Sequence, residues 1–103
     1  MDTVYIRQGD STDFIDNILL RININTDKDL TDFTGRFQLQ SVIIDYDDLT
    51  SKSIPIKFTY EQTDSLSQGY CEGAFKVYDT DKRPATILTN IPFEVQKGLV
   101  SNG

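Results

Sequence analysis

Hydrophobic positions recur at every second residue along most of this chain. The cleanest case is residues 18–25. Ile18, Leu20, Ile22 and Ile24 fall on one side, and Leu19, Arg21, Asn23 and Asn25 on the other. Strict alternation puts one set on each face of an extended strand, one buried and one wet, whereas a helix would scatter both sets round its circumference. Thr3 to Arg7 is a shorter β-rich run, stopped by Gly9-Asp10-Ser11. Arg36 to Ile44 alternates again: Phe37, Leu39, Ser41 and Ile43 oppose Arg36, Gln38 and Gln40. Val42 and Ile44 then load the second face, as in a strand whose far end is covered on both sides.

The second half continues in the same way. Ile54, Ile56, Phe58 and Tyr60 alternate with Pro55, Lys57 and Thr59. Gly69 to Asp79 sets Cys71, Gly73, Phe75 and Val77 against Tyr70, Glu72, Ala74, Lys76 and Tyr78. Ala85 to Thr89 is a short strand, and Ile91, Phe93 and Val95 alternate once more around Pro92. Proline has no N–H to give to a sheet ladder, so Pro55 and Pro92 each predict an edge strand or a bulge.

The connections are polar. Asp13 to Asn17 suits a helical turn or a loop, Asp45 to Ser53 an acidic loop, Glu61 to Gln68 a polar crossing, and Asp79 to Pro84 a hairpin loop. Leu30 to Leu39 organises the rest, because it carries the chain from one long strand to the next, and into a second sheet. About seven short strands in about 100 residues, with no convincing helix, predict an all-β fold, an immunoglobulin-like antiparallel β-sandwich. A small barrel is the alternative. The Cys…Trp…Cys signature of true immunoglobulin domains is absent, so the likeness is one of architecture. Residues 1–97 form a single domain on this reading, with 98–103 as a flexible tail.

Charge narrows the partners. The net charge is −6, and it is unevenly placed. The first fifty residues hold ten Asp against Arg7, Arg21, Lys28 and Arg36, and the remainder balances. Such a surface repels phosphate and shows no basic stripe, so no nucleic acid is expected and a basic protein surface is the better partner. Cys71 is the only cysteine, so no disulfide can form within the chain and the fold must rest on its core. No apolar stretch approaches the roughly 18 residues of a membrane span. The N-terminus lacks a signal-peptide pattern, which predicts synthesis in a cytoplasm.

Catalytic chemistry has little to work with. There is no His, which removes the commonest general base. Cys71 falls on the apolar face of its strand and reads as an inert thiol rather than a nucleophile. No Ser sits in a G-x-S-x-G elbow. The expectation is a non-enzyme with no cofactor. Asp45, Asp47 and Asp48 form the densest acidic cluster and are the candidate ligands for a Ca²⁺ ion. A solvated acidic loop accounts for them more simply. Tyr46, set between acids, is a candidate anchor for a protein interface or a polyol. The strand Thr3 to Arg7 has no proline guard, so Val4 and Ile6 are candidate interface residues for pairing with a neighbouring subunit by strand addition.

One further likeness lies in the order of turns. Ile6-Arg7-Gln8-Gly9-Asp10-Ser11 precedes a hydrophobic strand, and Asp29 to Leu39 leads into the next. Gly69-Tyr70-Cys71-Glu72-Gly73 and the acidic turn Asp79-Thr80-Asp81 follow. This order resembles the immunoglobulin-like domain of phage virion proteins, best known from the N-terminal part of baseplate upper proteins. Two departures stand out: Asp32-Phe33 separates an "LT" from a "TG" that the family runs together, and Lys82-Arg83-Pro84 stands where a Gly is common. The resemblance implies a structural or interaction protein of a bacteriophage virion, made in the host cytoplasm. A chain of this extent, without a fibre or receptor-binding portion, would suit a head fibre, a head decoration or a tail-baseplate accessory. It implies other virion proteins as partners, and rotational symmetry makes a homo-oligomer the expectation. A carbohydrate-binding or host-adhesion module, using loop tyrosines and acidic residues on a host surface glycan, is the alternative.

Overall fold

The computed structural model describes residues 2–12 and 20–98. The element order is β1 (Val4–Arg7), β2 (Leu20–Asn23), β3 (Thr34–Leu39), β4 (Val42–Tyr46), β5 (Ser53–Ile56), α1 (Tyr60–Asp64), β6 (Gly69–Tyr78) and β7 (Pro84–Gln96). Among the described residues the fold is all-β apart from one short helix. Five strands form a sheet in the order β1-β7-β6-β3-β4, and β2 pairs with β5 in a second, two-stranded sheet. Residues 24–33 carry the chain from that small sheet to the large one.

The large sheet is mixed rather than purely antiparallel. β1 runs parallel to β7, with Val4 opposite Phe93 and Arg7 opposite Gln96. The remaining pairs are antiparallel. Sequence alternation fixes which face a strand buries but is blind to direction, and direction here follows from which strands the topology makes neighbours.

Three element boundaries differ from the sequence reading. Arg36 to Ile44 is two strands joined by a hairpin, with Leu39 opposite Val42 and only Gln40 and Ser41 between. Gln40 takes the left-handed backbone (φ 53) that such a turn needs. Its side chain explains why the residue is not glycine: Gln40 Nε2 donates to the Ser67 carbonyl at 3.1 Å, and the Ser67 N–H donates back to Gln40 Oε1 at 2.8 Å. The double load of Val42 and Ile44 therefore marks the change of strand. Next, the run through Tyr60 stops being strand at Ile56, and a capped helical turn replaces its end. Thr59 Oγ1 accepts from the Gln62 N–H at 3.2 Å, and Gln62 Oε1 accepts from the Thr59 N–H at 2.9 Å. That is a capping box, whose Thr-x-x-Gln spelling is visible in the sequence. Finally, 84–96 is one long strand, not two, with a bulge where Gly73 to Lys76 of β6 faces it.

The prolines behave in two ways. Pro55 lies in β5, which pairs with β2 alone and so has an outer edge. Pro92 lies in β7, inside the sheet between β1 and β6. Gln96 accepts from the Gln8 N–H at 2.9 Å, which turns even-numbered β7 residues toward β1. The missing N–H of Pro92 therefore points to the β1 side, at a level where β1 has not begun to pair, since the ladder starts at Val4 with Phe93. The proline sits where no hydrogen bond is forfeited.

The core lies between the sheets. Phe37 and Phe93 from the large sheet meet Phe58, the residue between β5 and α1, with ring centroids 5.9, 5.8 and 6.5 Å apart in edge-to-face pairs. Each such pair adds about 0.5–1.5 kcal/mol beyond its buried area. Ile22, Ile54 and Ile56 from the small sheet, and Leu39, Phe75, Ile91 and Val95 from the large one, close the cluster. The expected alternation at Ile18 and Leu19, the stretch Asp13 to Asn17 and the tail beyond Gly98 lie outside the described residues.

Candidate functional site

The residues singled out from sequence do not gather in one place. Asp45 is the fourth residue of β4, not part of a loop. It holds the Arg36 Nε at 2.7 Å across the β3–β4 pair, and Arg36 in turn lies 6.0 Å from the Tyr78 ring. This pair is exposed, so solvent screens it. Asp48 caps its own turn: Oδ1 accepts from the Thr50 N–H at 3.0 Å and from Thr50 Oγ1 at 2.6 Å. These bonds hold the Asp48 carboxyl below the usual carboxylate range. Asp47 lies exposed between them. Asp45, Asp47 and Asp48 thus do not converge, and among the described residues no group of three or more acids, His or Cys is placed to hold a metal ion.

Tyr46 ends β4 and packs half-buried against the core, its ring 6.1 Å from that of Phe75. Its hydroxyl is buried and closes no hydrogen bond, although it approaches the Lys57 backbone. Burial pushes its pKa up to about 12. An inward ring of this kind is not the exposed loop anchor that its acidic neighbours suggested. The sequence misled because the neighbours of a strand residue point to the opposite face.

Val4 and Ile6 also turn inward. Ile6 is buried and Val4 half-buried against the core. Their strand is nevertheless at the sheet edge. The Gln8 bond to Gln96 sets the phase of the β1 ladder, so Val4 and Ile6 direct their backbone groups to β7, and Tyr5 directs its N–H and C=O outward. The Arg7 N–H also points outward, while its carbonyl takes the Asp10 N–H at 3.2 Å. Among the described residues nothing pairs with the outer side of β1.

Beside this edge the sheet shows its aromatic face. Tyr5 of β1 stands opposite Glu94 of β7, and Glu94 opposite Tyr70 of β6. The three side chains form one row across three strands on the wet face, and the two rings are 60% and 62% exposed. With strands about 4.8 Å apart, Tyr5 and Tyr70 are about 10 Å apart with the carboxylate between them. Tyr70 donates its hydroxyl to Glu72 Oε2 at 3.0 Å, and Asn90 Nδ2 donates to Glu72 Oε1 at 3.1 Å. The bond to Glu72 raises the Tyr70 pKa above its ordinary value. Glu72 is thus held at both oxygens, one level along β6 from Tyr70 and opposite Pro92.

The other flank of the edge is a cleft of about 240 Å³, lined by Tyr5, Ile6, Asp10, Thr12 and Thr63 among others. Thr12 and Thr63 are its buried polar wall. Thr12 Oγ1 accepts from the Phe58 N–H at 2.8 Å, and Thr63 Oγ1 donates to the Asp10 carbonyl at 2.7 Å.

Sequence reasoning placed Tyr70 and Glu72 on one wet face but not beside Tyr5, because a β1–β7 contact between residues some ninety positions apart leaves no local signal. Cys71, on the opposite side of β6, is half-buried against the core. Among the described residues no helix is long and apolar enough to cross a membrane. No protein-family model, curated protein or solved structure matches the chain.

Proposed function

We propose that this chain is a non-enzymatic structural and interaction protein of a bacteriophage virion, a head fibre, head decoration or tail-baseplate accessory, that docks on other virion subunits. The observation that carries the binding reading is the open outer edge of β1, whose Tyr5 N–H and C=O and Arg7 N–H face away from the sheet. Native sheets guard their edges with prolines, charges or covering segments. An edge that nothing among the described residues pairs with is a ready template for a partner strand, held by backbone bonds.

The phage assignment rests on the likeness of turns and strands to the immunoglobulin-like domain of phage virion proteins. The strand order supports an immunoglobulin-like architecture: β7-β6-β3-β4 runs as G-F-C-C′ does in variable-type domains, and β2-β5 runs as B-E. A homo-oligomer would use the opposite edge, β4, where Ile43 is 49% exposed. Mass spectrometry of purified particles from a phage that encodes the chain tests the virion reading. The chain should appear at a fixed copy number, and its absence from the particle rejects this assignment.

The second reading is adhesion to a host glycan. Tyr46 is unsuited to it, but Tyr5 and Tyr70 offer two exposed rings in one row. A glycan array that stays blank with the wild-type chain removes this reading.

A further inference from the structure

The open edge, the acidic aromatic row and the cleft lie on one strand, and together they specify what kind of strand can add to it. We infer that the partner of β1 is an extended segment of another protein with an apolar–basic–apolar pattern, its Lys or Arg lying over Tyr5 toward Glu94. This inference rests on the strand-addition reading above and names the chemistry of the strand.

Consider a strand hydrogen-bonded to the outer side of β1. Its residue opposite Tyr5 places its side chain on the wet face, with its Cβ about 5 Å from that of Tyr5. That side chain meets an exposed ring and, beyond it on β7, the Glu94 carboxylate, with the Tyr70 ring one strand further in. A cation gains here from the ring face and from the Glu94 carboxylate, while Arg7, on the same face two residues from Tyr5, turns its guanidinium inward to the Lys97 carbonyl at 3.1 Å. An acidic residue in the same place meets like charge. The net charge of −6 acts in the same direction over longer range. It also disfavours a second copy of this chain as the occupant, because that would bring two acidic domains edge to edge.

The residues on either side of that basic position point to the other face, beside Ile6. There one of them reaches the cleft lined by Ile6, Thr12 and Thr63, among others. Its volume, about 240 Å³, is below the roughly 300–1,000 Å³ of sites that take small molecules, and suits a single aliphatic side chain. The buried hydroxyls of Thr12 and Thr63 are already engaged, and Arg7 and Asp10 line the rim of the same cleft.

The test is an amide NMR titration with three acetylated and amidated nine-residue peptides. The first is Thr-Val-Thr-Val-Lys-Val-Thr-Val-Thr. The second has Glu in place of Lys, and the third is the Lys peptide N-methylated at alternate residues so that it cannot pair. The Lys peptide is expected to shift the Tyr5 and Arg7 amides and those of Thr12 and Thr63, and to bind about tenfold more tightly than the Glu peptide at low salt. The N-methylated peptide should not bind. Glu94→Gln should reduce the Lys preference to about threefold. If the Lys and Glu peptides bind equally while the N-methylated one does not, the partner chemistry proposed here is wrong and strand addition stands. If no peptide moves the Tyr5 and Arg7 amides, strand addition itself is wrong.

Discussion

Gly35 lies directly beneath the ring of Phe75: a Cβ built on Gly35 would stand 2.6 Å from Phe75 Cζ and 3.2 Å from Leu49 Cδ2. Gly35 is the second residue of β3 and pairs with Val77 of β6, so the missing side chain lets the Phe75 ring cross the strand. Phe75 is wholly buried and cannot swing away. Gly35→Ala is therefore expected to destabilise the fold by about 1–3 kcal/mol through overpacking. Urea unfolding checks this, and Gly35→Ala combined with Phe75→Leu should recover part of the loss. Gly reads locally as punctuation, and only the neighbouring strand reveals it as space for a ring.

Gln40 combines a strained backbone with a useful side chain. Gln40→Ala keeps the positive φ and loses both bonds to Ser67, for an expected cost of about 1 kcal/mol. Gln40→Gly loses the same bonds but relieves the left-handed strain, worth roughly 1 kcal/mol, and should sit near the wild type. Chemical denaturation of the two variants side by side should place Gly above Ala.

Lys82 lies in the β6–β7 hairpin with a left-handed backbone, and its φ is 65. Its backbone N–H bonds the Asp79 carbonyl at 2.9 Å, and Asp79 Oδ1 takes the N–H groups of Asp81 and Arg83, each at 2.9 Å. The turn is built by Asp79, so Lys82→Gly should keep it and add up to about 1 kcal/mol of stability. A lower melting temperature in this variant would contradict that reading of the hairpin.

Tyr46 gives the chain an alkaline limit. Its pKa is about 12 when folded and near 10 when exposed. Below pH 10 both states keep the proton and stability is unaffected. Between about 10 and 12 the unfolded chain ionises first, so stability falls as pH rises, by at most about 1.4 kcal/mol per unit. Tyr46→Phe should remove most of this limb and leave the part due to Tyr70, whose pKa the bond to Glu72 also raises. It should not weaken the fold at pH 7, since the buried hydroxyl closes no hydrogen bond. Thermal melts of both proteins from pH 7 to 11.5 make the comparison.

How far the sequence carried depended on range. Ile22 and Ile24, buried beside exposed Arg21 and Asn23, follow the period that the chain spells out. So does β6, with Gly73, Phe75 and Val77 inward and Glu72 and Lys76 outward. The capping box at Thr59 and Gln62 is spelled as two residue types at fixed spacing, but the alternation running on through Phe58 and Tyr60 read as strand and hid it. The β3–β4 turn was not legible, because Gln40-Ser41 carries none of the Gly or Asn that announces a tight hairpin. The row Tyr5–Glu94–Tyr70 was out of reach altogether. Each member shows its own face, but their adjacency comes from β1 lying parallel to β7.

Amide hydrogen exchange at the N-terminal strand tests the central claim, that β1 offers its outer edge to a partner, most directly. In the isolated chain the Ile6 and Gln8 N–H groups face β7 and should exchange slowly, whereas those of Tyr5 and Arg7 face outward and should exchange fast. In purified phage particles that carry the chain, the account predicts that Tyr5 and Arg7 become as protected as their neighbours. If both amides still exchange fast in the particle, the β1 edge is not the docking surface.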